Sequence, residues 1–219
     1  MTIVIIGSGP SMKPEYIDLI RASGLPSMGM NAQYRHYETI DWLPQYYCCF
    51  DVQVGENHKE KLTSLDTHLC SYREVGGQTT KGIPPDFKNQ SYHYVTTGTC
   101  AVRWAMELGY KRIILTGIDC DYQDLTADRE LVDGTWGTWK LKETPKENPN
   151  YWVEDYQQEG DVYNTPNYNP SKPYHPLAWL ELAAQSHHYG VQLIQTGSLL
   201  MPTIPVAELP QVLDDLAIA

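Results

Sequence analysis

Basic residues are what this chain is short of. Its 16 Lys and Arg face 27 Asp and Glu, for a formal net charge of −11 and an isoelectric point near 5.0. Nucleic-acid binding needs a basic footprint to displace the counterions of a phosphate backbone, so nucleic acid is not expected as a partner. A small anion is still within reach, because backbone amides and a few local cations suffice for it. Long apolar runs are also missing. The N-terminal MTIVIIGSG has no basic residue ahead of its apolar stretch, which is about half of what a spanning helix requires, so it reads as a first strand. The acidic VAELPQVLDDLAIA is a poor match for an anionic membrane surface. Cysteines number five, with Cys48 and Cys49 adjacent and no CxxC or His-spaced pair. They read as reduced and structural, which leads us to expect a cytoplasmic protein. There is no internal repeat, and 219 residues suffice for one α/β domain with a smaller insertion.

What the chain does contain is an alternation of β-branched runs and helical periodicities. Ile3 to Ile6 reads as a strand, and Gly7-Ser8-Gly9-Pro10-Ser11 as a tight turn. Pro14 to Ala22 reads as a helix, with Ile17 and Ile20 on one face, proline at its start and Gly24 past its end. The turn lacks the dinucleotide fingerprint. Met12 stands where GxGxxG requires glycine, and Asn31 where an acidic residue would hold a ribose diol. A cradle for a mononucleotide or a single phosphate and a plain turn both remain open. Met28 to Asn31 is the second predicted strand. After it, Asn31 and Gln33 are suited to base edges or sugar hydroxyls, and Arg35 supplies a cation. Tyr46 to Phe50 is the third, with Asp51 at its end. From Gln53 to Asn89 the pattern supports only a helix over Lys59 to Leu65, a strand over His68 to Tyr72 and a loop around Gly76 to Pro85. Ser91 to Val95 reads as a strand feeding Thr96.

The block TTGTCAVRWAMELGYKRIILTGIDCDY, Thr96 to Tyr122, is the most readable part. Ala101, Val102, Ala105 and Leu108 carry a helical period that breaks at Gly109, and Arg112 to Thr116 is a short buried strand. In open α/β sheets ligands sit outside the carboxyl ends of the strands. Two polar clusters are placed there. Thr96-Thr97-Gly98 opens a helix, where unpaired N–H groups and the positive dipole end suit a phosphate, although Thr is also an ordinary N-cap. Gly117-Ile118-Asp119-Cys120-Asp121 follows a strand. Residues 122–173 are rich in Trp, Tyr, Asn, Pro and Gly without sustained periodicity, as in a lid or a linker. The aromatics Trp136, Trp139, Tyr151, Trp152, Tyr156, Tyr163 and Tyr168 argue against disorder and for a lid suited to sugar or base stacking. Pro176 to Tyr189 then reads as a helix, Val191 to Gln195 as a strand and Val206 to Leu216 as a last helix. The expected architecture is an α/β core, residues 1–121 and 174–219, built on a mostly parallel sheet with helices on both faces. Residues 122–173 form an irregular, aromatic-rich lid inserted in it.

The GSGPSM turn, Asn31-x-Gln33, the central TTGTCAVRWAMELGYKRIILTGID block and a histidine leading into a helix that ends HHYGVQL together resemble the bacterial sialyltransferases of glycosyltransferase family 42. They also resemble the wider group of GPS-motif proteins with a Rossmann-like core. The resemblance covers most of the core in the same order, but not Gln53 to Asn89 or the lid in detail. It implies an inverting, metal-independent transfer of a nonulosonic acid from a CMP donor to a glycan hydroxyl. By the same resemblance, Gly7 to Ser11, Asn31, Gln33, Asp51, Thr96, Thr97, Gly98 and Asp119 would lie at the nucleotide. His175 would be the general base, its unperturbed pKa near 6.5 matched to that task, and Tyr122 would stabilise the departing phosphate. Three positions depart from the family: Ser8 and Asp51 stand where it has asparagine, and Asp119-Cys120-Asp121 forms a DxD. Carboxylates beside a phosphate call for a cation, so Asp51, Asp119 and Asp121 are a candidate Mg²⁺ set. A pterin-type, Mg²⁺-dependent pyrophosphokinase and a non-catalytic nucleotide-binding module are the alternative expectations, and assembly as a homo-oligomer stays open.

Overall fold

The computed structural model describes residues 1–71, 96–123, 127–135, 137–164, 174–197 and 203–218. The sequence readings at Tyr72, Gly76 to Pro85, Ser91 to Val95, Trp136 and Tyr168 lie outside these residues. The chain begins with β1 (Thr2–Ile6), α1 (Pro14–Ser23) and β2 (Ser27–Met30), and continues through a 3-10 turn (Asn31–Gln33) into α2 (Tyr34–Thr39). Next come β3 (Tyr46–Cys49), α3 (Val52–Asn57), α4 (Lys59–Ser64) and β4 (His68–Ser71), then α5 (Thr97–Glu107) and β5 (Arg112–Thr116). The insertion contributes β6 (Arg129–Leu131), β7 (Thr138–Leu141) and β8 (Val162–Asn164). The chain closes on α6 (Tyr174–His188), β9 (Gln192–Gln195) and α7 (Leu209–Ile218).

Among the described residues the main sheet has six strands in the order β4-β3-β2-β1-β5-β9, all parallel. Both faces are covered, as a parallel sheet requires, and its central strands are accordingly apolar throughout rather than alternating. In β1, Ile3 and Ile5 face a core shared with Ala101, Val102 and Ala105 of α5 and Trp179 and Leu182 of α6. Val4 and Ile6 face the other core, with Tyr16, Ile17 and Ile20 of α1 and Leu209 and Val212 of α7. The sheet is therefore α/β and Rossmann-like.

Local chemistry fixes the element ends. Pro14 opens α1, where its missing N–H costs nothing, and Gly24 closes it at φ 65°, its N–H reaching the Arg21 carbonyl. The last helix starts three residues later than the periodicity predicts. Val206 is held in an extended bridge beside Gln195, and Pro210 falls in the first turn, where proline is tolerated. Within the insertion, irregular chain alternates with an antiparallel sheet in the order β6-β7-β8. Its strands are only three or four residues long, too short to leave a period in the sequence.

The strand order reverses between β1 and β5. There the turn after β1 meets the chain after β5 with no room for side chains, since a Cβ on Gly7 would collide with the Gly117 carbonyl oxygen. Gly7→Ala should therefore lose about 3 kcal/mol of stability, the upper end of the usual overpacking range, because the obstacle is backbone. Gly24→Ala, which meets nothing within 4 Å, should lose only about 1 kcal/mol through its left-handed φ. Urea denaturation of the two variants checks the contrast.

Candidate functional site

The reversal point between β1 and β5 is where a ligand crevice is expected. It is zipped shut by the chain itself. Gly7 N–H donates to Thr116 O at 2.7 Å, and Gly9 N–H to Gly117 O at 2.8 Å. Ser11 N–H donates to the Asp119 carboxylate at 2.9 Å, and Met12 N–H to Gly9 O at 3.1 Å. A phosphate cradle presents such donors to a ligand. Here the Gly7, Gly9 and Ser11 amides of the turn are taken by the chain itself, which favours the plain-turn reading over the phosphate cradle for these three donors. Asp119, 8% exposed, acts as a carboxylate clamp on the turn.

The polar groups that remain lie one and two strands further on, past the ends of β2 and β3. Asn31 adopts φ 52°, a left-handed conformation that asparagine tolerates better than most residues. Its carbonyl accepts from Tyr47 O–H at 2.8 Å. Its side-chain oxygen is buried without a protein partner. Gln33 departs from its expected role as a reader of bases or sugars, because it is 0% exposed and bonded entirely within the protein. Its Oε1 accepts from Met30 N–H at 2.8 Å and from Tyr37 O–H at 2.9 Å, while Nε2 donates to Ile6 O at 2.9 Å. Gln33 thus pins the end of β2 to the end of β1. Asp51 caps α3, its Oδ1 accepting from Gln53 N–H at 3.0 Å and Val54 N–H at 3.2 Å. Burial raises its pKa against the lowering effect of those two bonds.

The first turn of α5 completes this edge. Thr96 is its N-cap in a reciprocal box with Thr99, and Thr97 Oγ1 accepts from Phe50 N–H at 3.2 Å. Gly98 is a packing glycine rather than a ligand-facing one, since a Cβ there would lie 2.8 Å from Trp179 Cζ2. Trp179 is one turn along α6 from His175, which is the second residue of that helix. The pKa of His175 is lowered to about 4 by burial. This corrects the expected value near 6.5: the imidazole is neutral, and a weaker base than an exposed histidine.

Residues 151–161 of the insertion are seated on this edge. Trp152 N–H donates to Ser8 O at 3.1 Å, and its indole Nε1 to Gly7 O at 3.0 Å. Tyr156 stacks on Tyr151 with ring centroids 3.9 Å apart. Burial raises its pKa to about 12, with the Asp51 carboxylate a smaller contributor and Ser8 and the Ala32 backbone opposing the rise. Burial also raises Tyr151 well above the usual phenol, with Tyr156, Tyr122 and Asp51 as smaller contributors. Three phenols, one hydroxyl, one carboxylate and the Asn31 amide thus share one enclosed edge. What holds the segment down was not read from the sequence. Arg35 grips Asp161 with Nη1 to Oδ2 at 2.6 Å and Nη2 to Oδ1 at 2.9 Å, and also donates to Tyr156 O at 2.7 Å. His58 Nε2 stands 3.6 Å from the same carboxylate. Arg35 was singled out as a cation, but nothing in the sequence points to a partner 126 residues away.

Asp51, Asp119 and Asp121, the candidate Mg²⁺ set, have separate surroundings. The first caps α3, the second clamps Ser11, and Asp121 is exposed. Among the described residues no group of three His, Cys, Asp or Glu is placed to hold a metal ion, and no helix is long and apolar enough to cross a membrane.

No family model matches the chain, and no curated protein does. Among solved structures, the chain is similar to the MAf glycosyltransferase from Magnetospirillum magneticum AMB-1, with 14% identity and TM-score 0.49 over 99% of this chain and 36% of that one. The chain thus spans about a third of that protein's length. It is also similar to the sialyltransferase CST-II in complex with a trisaccharide acceptor and CMP, with 13% identity and TM-score 0.37 over 94% of this chain and 86% of that one.

The capping role of Asp51 separates cleanly from an ion-binding one. Asn is as good an N-cap as Asp, so Asp51→Asn should leave stability within about 0.5 kcal/mol, whereas Asp51→Ala should cost roughly 1 kcal/mol or more. Thermal denaturation of both variants, with and without Mg²⁺, reads this out. Mg²⁺-dependent stabilisation lost in both variants would return the carboxylate to the cation set.

Proposed function

We propose that this chain is an inverting glycosyltransferase that takes a sialic-acid-like nonulosonic acid from a CMP donor and passes it to a glycan hydroxyl. The observation that carries the reading is the enclosed edge past β1, β2 and β3. There Asn31 and the first turn of α5, which belong to the pattern that resembles family 42, and Ser8 and Asp51, which depart from it, sit beside the tyrosines of the insertion. Asn31 offers an unsatisfied buried acceptor to an amino or hydroxyl donor of the ligand. The first turn of α5 would offer backbone N–H groups of a helix N-terminus to a phosphate.

The reaction requires the acceptor hydroxyl to attack the anomeric carbon as the bond to the CMP phosphate breaks, with inversion at that carbon. His175 takes the hydroxyl proton. With a pKa of about 4 the imidazole is unprotonated throughout the neutral range, and its position rather than its basicity supplies the rate. The departing phosphate carries the developing charge. The hydroxyls of Tyr122, Tyr151 and Tyr156 and the α5 amides are the groups that would stabilise it, in a site closed to water by the insertion. The pterin-type pyrophosphokinase alternative stood on converging carboxylates. Asp51 caps α3, Asp119 holds the Ser11 amide and Asp121 is exposed, so nothing specific favours it.

Cytidine nucleotides should raise the melting temperature, by an amount equivalent to about 2.7 kcal/mol at one hundred times Kd, with UDP, ATP and NAD giving less. Preference for ATP with Mg²⁺, or no response to any nucleotide, would overturn the donor assignment. His175→Ala should abolish transfer and leave CMP affinity nearly unchanged. Since the base must be unprotonated, kcat/KM of the parent should hold as pH falls through 6.5 and drop only on approach to about 4.

A further inference from the structure

At the amino edge of the main sheet, opposite the edge described above, the chain leaves a cleft of about 240 Å³. It lies between the carboxyl end of α1, the start of β2 and the loop leading into β3. Leu25 and Leu43 give it apolar walls beside the Trp42 ring, and Arg21, Gln45 and Gly24 also line it. Two of these groups are fixed before any ligand arrives. Trp42 is half-buried, donates its backbone N–H to Tyr37 O at 3.1 Å and packs edge-to-face on the Tyr37 ring, centroids 5.3 Å apart. The Gln45 carbonyl accepts from His68 N–H at 3.1 Å and from Thr67 Oγ1 at 2.9 Å. Its side chain is therefore exposed on an anchored main chain, and little order has to be created on binding. At Gly24 there is free space, since a Cβ would meet nothing within 4 Å.

The lining selects a class of ligand. An indole suits the apolar C–H face of a ring, and a carboxamide offers donors and an acceptor together. Arg21, its side chain 42% exposed, adds further donors. An anion is poorly served, because the Arg21 charge is shared with Asp18 at 4.0 Å and the negative end of the α1 dipole adjoins the cleft. The volume falls below the ~300 Å³ at which pockets for drug-sized ligands begin, so the cleft takes one ring rather than a nucleotide. A flat nucleobase would want a second flat wall, where the cleft has the branched side chains of Leu25 and Leu43. We propose that this cleft is a second binding site, for one neutral pyranose ring of a glycan, with Trp42 stacking on the ring and Arg21 and Gln45 bonding its hydroxyls. The site is independent of the donor assignment, since it shares no residue with the edge past β1, β2 and β3.

Methyl glucoside, methyl galactoside and N-acetylglucosamine, titrated separately into the isotope-labelled full chain, test this by NMR. The signal is the Trp42 indole N–H, assigned by its absence from Trp42→Phe. At least one of the three sugars should shift it with a Kd in the range of roughly 1–10 mM. Gln45→Ala and Arg21→Ala alter exposed side chains and should each weaken binding about fivefold. Gly24→Asn, a residue that tolerates the left-handed φ of 65°, should fill the cleft and abolish the shift. No shift with any of the sugars at about 50 mM, or a shift that these variants leave unchanged, would overturn the site. A larger shift with CMP or inorganic phosphate, lost in the same variants, would overturn the neutral-sugar class in favour of an anion. If the sugars shift the Trp42 signal and cytidine nucleotides stabilise nothing, the cleft stands and the cytidine reading fails.

Discussion

Everything at the carboxyl edge depends on how closely two backbones approach between β1 and β5. Gly7 and Gly117 touch with no side chain between them, and the amides of Gly7, Gly9 and Ser11 are bonded to the end of β5 and the residues just after it. The crevice that a doubly wound sheet opens at its reversal point is therefore sealed by the protein's own donors and by the Asp119 carboxylate. A ligand bound as proposed would lie elsewhere along the edge. The unsatisfied Asn31 oxygen, the α5 N-terminus and the stacked tyrosines lie on the β2 and β3 side. The close approach both locks the fold and displaces the site.

That displacement explains why the insertion matters. Trp152 bonds to the outer carbonyls of the same glycine turn whose amides are bonded inward, so the turn is a strap between the sheet and the insertion. Tyr156 extends this, buried in the core beneath the insertion with its ring stacked on Tyr151. The glycines are needed for packing on one side, and the carbonyls for docking on the other.

Much of the fold was legible because its causes are local. β-Branched runs fixed β1 and β5, and Pro14 and Gly24 bounded α1, while the cap of α5 falls on Thr96, one residue before the Thr97 at which an N-cap was read. The site was legible only in part. Asp51 and Gln33 were both singled out, and both turn out to be bonded to the protein itself, because a residue type suited to reading a ligand is equally suited to capping a helix or tying two strands. Only three-dimensional placement separates those uses. Asp119 looked like half of a DxD, but Ser11 is 108 residues away and its amide was not visible as a competitor. The Arg35–Asp161 pair and the short strands β6, β7 and β8 lacked any pattern long enough to read. His175 was placed at the right end of its helix, but a pKa lowered by burial is a property of surroundings that the sequence does not display.

The register of β1 has a consequence for how the chain is made. Thr2 pairs with Arg112 and Ile6 with Thr116, so one whole edge of the first strand must wait for roughly 110 residues to follow it. At ribosomal rates of about 5–20 residues per second, that edge stays unpaired for on the order of 5–20 s while β2, β3 and β4 add to the other side. An apolar, β-branched edge left open that long is a template for pairing with another nascent chain. Loop-closure entropy further slows so distant a partner. The same strand that anchors the finished sheet is thus the one that most needs protection during synthesis, and crowded expression would burden this protein at that point first.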